Sequence, residues 1–362
     1  MKIWLVSAFI AALALPAQAE VKVETVAEGL EHPWSLAFMP DGGMLVSERP
    51  GRLRVVRQGV LSEPVQGLPP IDAGKQGGML DVALDPDFAA NRTVFFTFSE
   101  PRNEGGNGTS VARAKLSADE TRLEDMSVIF RQQPAIESSA HFAGRIAFAP
   151  DGNLFVTLGD RYIMRDSAQD LGTHLGKTVR IARDGAPAPG NPFIGKEGAL
   201  PELWSIGHRN PQGAAIEPST GLLWTVEHGA QGGDEINRPE AGRNYGWPVI
   251  SFGKDYDDSK IGVGTQKEGM EQPLHYWDPS IAPSGMAFYQ GELFPEWKGD
   301  LLIGALRGQK LVRLDVEDGK IVGEEAMLTD FGERIRDVRV GPDGALYLLT
   351  DNPQGRVLRV TK

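Results

Sequence analysis

The chain of 362 residues has no cysteine. Disulfides, thiolate metal sites and thiol catalysis are therefore excluded. Its six histidines show no metal-ligand spacing. Positive charge is in deficit, with 37 Lys and Arg against 49 Asp and Glu, for a net charge of -12. That balance argues against nucleic acid or an anionic membrane surface as a partner. Long apolar runs are missing as well. The one candidate, Ile3 to Leu15, has about 13 residues where a membrane span needs roughly 20. With Lys2 before it and Ala17-Gln18-Ala19 after it, the run reads as a secretory signal peptide over residues 1–19. Residues 20–362 then form one mature domain, periplasmic or secreted, with no membrane anchor.

Catalytic signatures are equally sparse. No GxSxG elbow, HExxH helix or GxGxxG after a strand occurs. "GTHLGKT" (Gly172 to Thr178) imitates a phosphate loop, but it is one residue short of GxxxxGK[ST] and follows no strand pattern. We reject it.

What is abundant is punctuation: 44 Gly and 25 Pro break up short alternating apolar runs, an all-β signature. One frame recurs, apolar run, turn, apolar run. It appears in "WSLAFMPDGGMLVSER" from Trp34, "MLDVALDPDFAANRTVFFTFSE" from Met79 and "GRIAFAPDGNLFVTLGD" from Gly144. It continues in "QGAAIEPSTGLLWTVEHG" from Gln212, "SGMAFYQGELFPEWKGDLLIGALRG" from Ser284 and "IRDVRVGPDGALYLLTD" from Ile335. The spacing is too uneven for a solenoid, whereas propeller blades tolerate insertions because each packs only on its neighbours. Six units predict a six-bladed β-propeller with one hairpin in each blade.

A hairpin returns the chain to its starting end, so residues flanking its strands become neighbours. In the third unit these are His141 and Asp160. Across the units the flanking residues are Gln76, His141, Arg209 with Asn210, and Arg334 with Arg336 on entering. On leaving they are Glu48, Asp160, His228, Arg307 and Asp351. Equivalent ends converge on one face. Arg209, Arg307, Arg334 and Arg336 would there form an electropositive cup suited to a ligand with several carboxylates. A carboxylate beside His141 suits a general base. In "EHGAQGGDEINRPEAGRNYGWP" (Glu227 to Pro248), glycines able to aim carbonyls and the acids Asp234 and Glu235 offer the hard oxygens that calcium favours.

At these residues the chain resembles the soluble quinoprotein glucose dehydrogenase (glucose/sorbosone dehydrogenase) family, notably its exported bacterial aldose sugar dehydrogenases. The matching blocks are "GKQGGMLDVALDPDF", "HFAGRIAFAPDGNLFVTLGD", "GHRNPQG", "GGDEINRPEAGRNYGWP", "ALRG" and "RIRDVRVGPDG", in the family's order over most of the mature chain. The resemblance implies a propeller that uses pyrroloquinoline quinone and calcium to oxidise an aldose to its lactone. It implies His141 as base, Asp160 as its orienting partner and Arg209 as a catalytic contact. Gln76, Arg209 and Asn210 would contact the quinone and the reacting sugar oxygen, and His141 and Tyr256 would also touch the cofactor. Arg307, Arg334 and Arg336 would bind the cofactor's carboxylates. The carbonyls of Gly229 and Ala230 would hold the calcium under the quinone; Glu235, the Tyr245 carbonyl and Ser251 or Asp255 would form a second calcium site.

Some positions depart from the family. Its glucose dehydrogenases carry Lys at Arg307, and Gln and Pro at His228 and Ala230. The partners implied are an aldose and an external electron acceptor, and the assembly is a monomer or homodimer. The competing classes are a propeller lactonase or hydrolase, which needs a ring of Asp, Glu and Asn where arginines stand here, and a non-catalytic binding propeller of the cell envelope.

Overall fold

The computed structural model describes residues 21–362; the signal peptide expected over 1–19 lies outside them. Six four-stranded antiparallel sheets form a six-bladed β-propeller. Each predicted hairpin supplies the two innermost strands of one blade. They are Pro33–Phe38 with Met44–Glu48, Met79–Leu84 with Thr93–Pro101, and Ala143–Phe148 with Leu154–Leu158 in blades one to three. Blades four to six use Pro211–Ile216 with Leu223–Glu227, Pro283–Phe288 with Leu301–Ala305, and Ile335–Val340 with Leu346–Thr350. The outermost strand of blade six comes from the other end of the chain, Lys22–Leu30 pairing antiparallel with Gly355–Thr361. The ring is thus closed by hydrogen bonds between the chain's two ends.

The repeated turns work alike. In blade three Ala149 N donates to Asn153 O (2.8 Å) and Gly152 N to Ala149 O (2.9 Å). Gly152 takes φ +83°, which a side chain would resist. Met39 N to Gly43 O and Gly341 N to Ala345 O repeat the bond in blades one and six. Opposite the turns, the innermost strand of every blade carries a register irregularity near its start. Such bulges bend a strand and re-aim its side chains, here into the central channel.

What fills the channel is polar. Arg145, 2% exposed, lies 3.0 Å from Asp337 Oδ1 and 3.3 Å from Asp81 Oδ1. It also donates to Gln212 O (2.7 Å) and stacks 4.1 Å from the Trp34 ring centroid. Asp81 accepts the Ile146 amide and Asp337 accepts the Leu36 amide. One guanidinium therefore joins blades one to four and six. Removing it would leave buried carboxylates undercompensated, at a cost of about 3–5 kcal/mol. This plug makes the channel a cup with a floor at Trp34 and Arg145.

Candidate functional site

The non-turn end of the blade-three hairpin brings His141 to Asp160. The imidazole Nδ1 lies 2.6 Å from Asp160 Oδ1, and both side chains are buried. Asp160 Oδ1 also accepts the Tyr162 amide (2.7 Å), and Oδ2 accepts the Trp247 indole N–H (2.8 Å). With its acceptors occupied, the carboxylate fixes the tautomer with the proton on Nδ1. Nε2, which makes no hydrogen bond among the described residues, is left as the acceptor. Burial, reinforced by the Arg209 charge, holds His141 below the ordinary imidazole pKa although Asp160 pulls the other way. Burial opposes ionisation of Asp160, but the His141 hydrogen bond and the Arg209 charge keep its pKa low. A neutral base beside a fixed anion results.

The backbone here is strained. His141 and Ala143 take φ +52° and +54°, and Arg161 and Tyr162 take +61° and +66°. Left-handed non-glycine residues persist only where surroundings over-determine them. Those surroundings are visible. The His141 amide donates to Gln76 Oε1 (2.9 Å) and the Ala143 amide to Asn210 Oδ1 (3.2 Å). The Arg161 guanidinium binds Ala140 O, Asn107 O and Asn107 Oδ1, and stacks 3.8 Å from the Phe142 centroid. Gly159 is required beneath, since a Cβ there would sit 2.0 Å from His141 O.

Beside the pair opens a cavity of about 250 Å³, lined by Gln76, Asn210, His228, Arg334, Arg336 and Asp351, with Trp34, Phe142 and Arg49 among its other walls. His141, Asp160 and Arg209 are not in that lining; Gln76 and Asn210 tie them to it. Arg334 and Arg336 share Asp351 Oδ2 (3.1 and 3.0 Å), leaving one positive charge in excess. Burial opposes the ionisation of Asp351, and the two arginines overcome it. Arg209 donates to His228 O and to the Tyr256 hydroxyl (3.3 Å), lies over Trp247, and keeps a buried Nε with no partner. His228 Nε2 donates to Pro283 O (2.6 Å), and the ring is pushed down to about 3, chiefly by burial, so it is neutral.

Other predicted positions fall outside this cluster. Arg307 is exposed at the end of the blade-five hairpin and does not line the cavity, so the cavity wall holds two of the four expected arginines, Arg334 and Arg336, with Arg49 added and Arg209 set beside it. Tyr256 reaches the site through Arg209 rather than through the cavity wall. Gly229 lies against the backbone of Gly232 and Gly233, where a Cβ would come within 2.1 Å of Gly232 O, and its amide donates to Asp234 Oδ1. Asp234 is otherwise spent on Ser280 Oγ and the Ile281 and Ala282 amides. Glu235 is half-buried next to Glu227; desolvation of its carboxyl, then that neighbour's charge, pushes its pKa up to about 8. Tyr245 stacks on His208, Ser251 Oγ accepts the Gly253 amide, and Asp255 is held by Arg165 at 2.7 Å. Among the described residues no group of three or more His, Cys, Asp or Glu gathers as a metal cluster. Lys177 of the rejected phosphate loop is buried, with Nζ on Ser167 O and Leu175 O.

Sequence reasoning missed Trp247, Tyr162, Arg161 and the Arg145 plug. Trp247 stood inside a quoted block, but nothing in the one-dimensional pattern sends it 87 residues back to Asp160.

Comparison with known proteins agrees with this architecture. Residues 30–359 match the family model described as Glucose / Sorbosone dehydrogenase. The chain is 46% identical over 349 residues to the aldose sugar dehydrogenase YliI of Escherichia coli, covering 95% of this chain and 94% of that protein. It is 27% identical over 410 residues to quinoprotein glucose dehydrogenase B of Acinetobacter calcoaceticus, covering 91% and 85%. Among solved structures, the apo-form of the soluble aldose sugar dehydrogenase from Escherichia coli superposes with a TM-score of 0.92 at 46% identity, over 94% of this chain and 99% of that one. The PQQ-bound aldose sugar dehydrogenase from Streptomyces coelicolor gives 0.78 at 30% identity, over 96% and 100%. The chain belongs to the glucose/sorbosone dehydrogenase family. No helix among the described residues is long and apolar enough to cross a membrane.

Proposed function

We propose that this chain is an exported quinoprotein dehydrogenase that oxidises aldoses at the anomeric carbon to lactones. Pyrroloquinoline quinone would be its acceptor, calcium its metal, and an external carrier would take the electrons onward. The observation that carries the reading is a neutral His141, oriented by Asp160 and free at Nε2, beside an arginine-lined cavity. The 46% identity to an aldose sugar dehydrogenase supports the same reading.

The residues suit the groups proposed. The quinone is a flat polycarboxylate, and Arg334, Arg336 and Arg49 offer it excess positive charge above the Trp34 floor. The unpartnered Nε of Arg209 is a donor awaiting an acceptor. For calcium, the Gly229–Ala230 backbone is packed so tightly that only glycine fits at 229, and its carbonyls would be the ligands near the quinone. Glu235 would serve a second ion. Its raised pKa and the unpartnered buried Oδ1 of the adjacent Asn237 are what a missing cation would leave behind. Asp255 suits that ion less well, because Arg165 draws its carboxylate away.

When bound, the quinone supplies the two-electron acceptor for the hydride leaving the anomeric carbon. His141 Nε2 accepts the proton of the anomeric hydroxyl. Asp160 stabilises the imidazolium that forms and prevents the ring from turning. Arg209 places positive charge where negative charge develops, in a site whose burial strengthens the interaction. Gln76 and Asn210 hold the strained His141–Ala143 backbone that aims the base.

An absorbance scan and a dye-reduction assay, each with quinone and calcium added singly and together, test the proposal. Turnover that needs both supports it. Dye reduction indifferent to the quinone rules it out, and the absence of dye reduction with any addition leaves the redox-neutral classes, a hydrolase or a binding propeller.

A further inference from the structure

Two tyrosine rings stand in solvent at the mouth of the site. Tyr162 is 49% exposed and Tyr256 56% exposed, and their centroids are 6.4 Å apart at a 45° tilt. The Tyr162 ring meets the His141 imidazole edge-on, 5.3 Å between centroids at 89°. So large an apolar surface left in water beside a base contributes little to folding.

The ring is nevertheless carried on a firmly held backbone. Its residue and the one before it are both left-handed. The Tyr162 amide donates to the same Asp160 Oδ1 that orients His141, and Arg161 is buried on Phe142 and Asn107. Tyr256, its neighbour, accepts from Arg209 through its hydroxyl. The segment that carries the ring and the base are therefore tied to one carboxylate. An exposed aromatic locked in a strained backbone at a reactive centre points to ligand contact.

The chemistry that fits is a cyclic sugar. A pyranose gathers its C–H groups on one face and its hydroxyls at the rim. An aromatic ring covers the former while polar groups bind the latter. An open-chain polyol offers no such face. We propose that Tyr162 is a specificity-determining residue whose ring packs on the C–H face of a pyranose and brings its anomeric hydroxyl to His141 Nε2. Tyr256, in contact with Tyr162, extends the same aromatic wall. This inference rests on the aldose reading above.

The test combines kinetics with direct binding. In quinone- and calcium-loaded enzyme, Tyr162→Ala is expected to raise KM for glucose about tenfold with a smaller change in kcat, whereas Tyr162→Phe retains the wild-type KM. Quinone affinity, followed by fluorescence titration, stays within about twofold in both variants. Saturation-transfer NMR with methyl β-glucoside, which cannot be oxidised at its blocked anomeric oxygen, should show transfer from aromatic protons to sugar C–H groups in wild type and Tyr162→Phe. That transfer is lost in Tyr162→Ala and absent with sorbitol. Unchanged KM and unchanged transfer in Tyr162→Ala overturn the proposal, as does lost quinone affinity at unchanged KM, which would turn the ring toward the cofactor. A fall in kcat alone, with KM and transfer intact, assigns Tyr162 to loop structure and also overturns it. Transfer to the glycoside without any aldose oxidation leaves the platform standing and sinks the aldose-oxidation reading.

Discussion

Two histidine–carboxylate pairs sit at equivalent ends of neighbouring hairpins, each separated by 19 residues. In blade three His141 Nδ1 faces Asp160 at 2.6 Å; in blade four His208 Nδ1 faces Glu227 at 2.9 Å. What distinguishes them is the far nitrogen. His208 Nε2 is bonded to Ser205 Oγ at 2.8 Å, its ring is stacked on Tyr245, and the residue is fully buried. A Ser–His–Glu chain of hydrolase type is thus present with no opening for a substrate. Its work is structural, because Glu227 also accepts the Arg209 amide and an Asn237 amide hydrogen. His141 keeps Nε2 free, and its backbone is strained where that of His208 is not. Spacing makes the pair; access to the second nitrogen makes the base.

Asp160→Asn should break the comparison most severely. It permits the wrong imidazole tautomer, and turnover of loaded enzyme is expected to fall roughly 100- to 10,000-fold with quinone titration unchanged. Trp247→Phe removes one of the bonds that hold Asp160, and a loss of about tenfold in kcat is expected from steady-state assays. His208→Gln should do the reverse of Asp160→Asn. Its signature is a melting temperature lower by roughly 2–8 °C, with activity per loaded molecule changed by less than about tenfold. If His208→Gln abolished turnover in folded, loaded enzyme, the distinction between the two pairs would be lost.

The mildest effect is on pH dependence. Protonated His141 cannot accept a proton, so kcat/KM falls as pH drops through its pKa. Burial and Arg209 place that pKa below the ordinary imidazole value, so the acid limb should lie below about pH 6.5. Arg209→Met removes a charge that opposes protonation, and the limb should move to higher pH, while Arg209→Lys should leave it in place. A limb that moves to lower pH in Arg209→Met would contradict this electrostatic reading.

The hairpins were legible in the sequence because alternation and Pro-Asp-Gly turns are local, and six of them specify six blades. The closing strand Lys22–Leu30 was not, since its pairing with Gly355–Thr361 spans the whole chain. The His141–Asp160 contact was legible for the same local reason as its hairpin. The role of base was suggested by that pairing and made specific by the resemblance, and the His208–Glu227 pair shows that spacing alone would have offered two candidates. Trp247 and the Arg145 plug depend on contacts between blades, which no periodicity encodes. Arg307 has the right residue type at the right strand end, yet its side chain is turned to solvent.

Single-turnover bleaching of the bound quinone on mixing with an aldose tests the central claim most directly, comparing wild type with His141→Gln at equal, measured quinone occupancy. The account predicts bleaching slower by roughly 100- to 10,000-fold in the variant, with the stoichiometry of quinone binding unchanged. Bleaching at a near-wild-type rate would contradict the assignment of His141 Nε2 as the base.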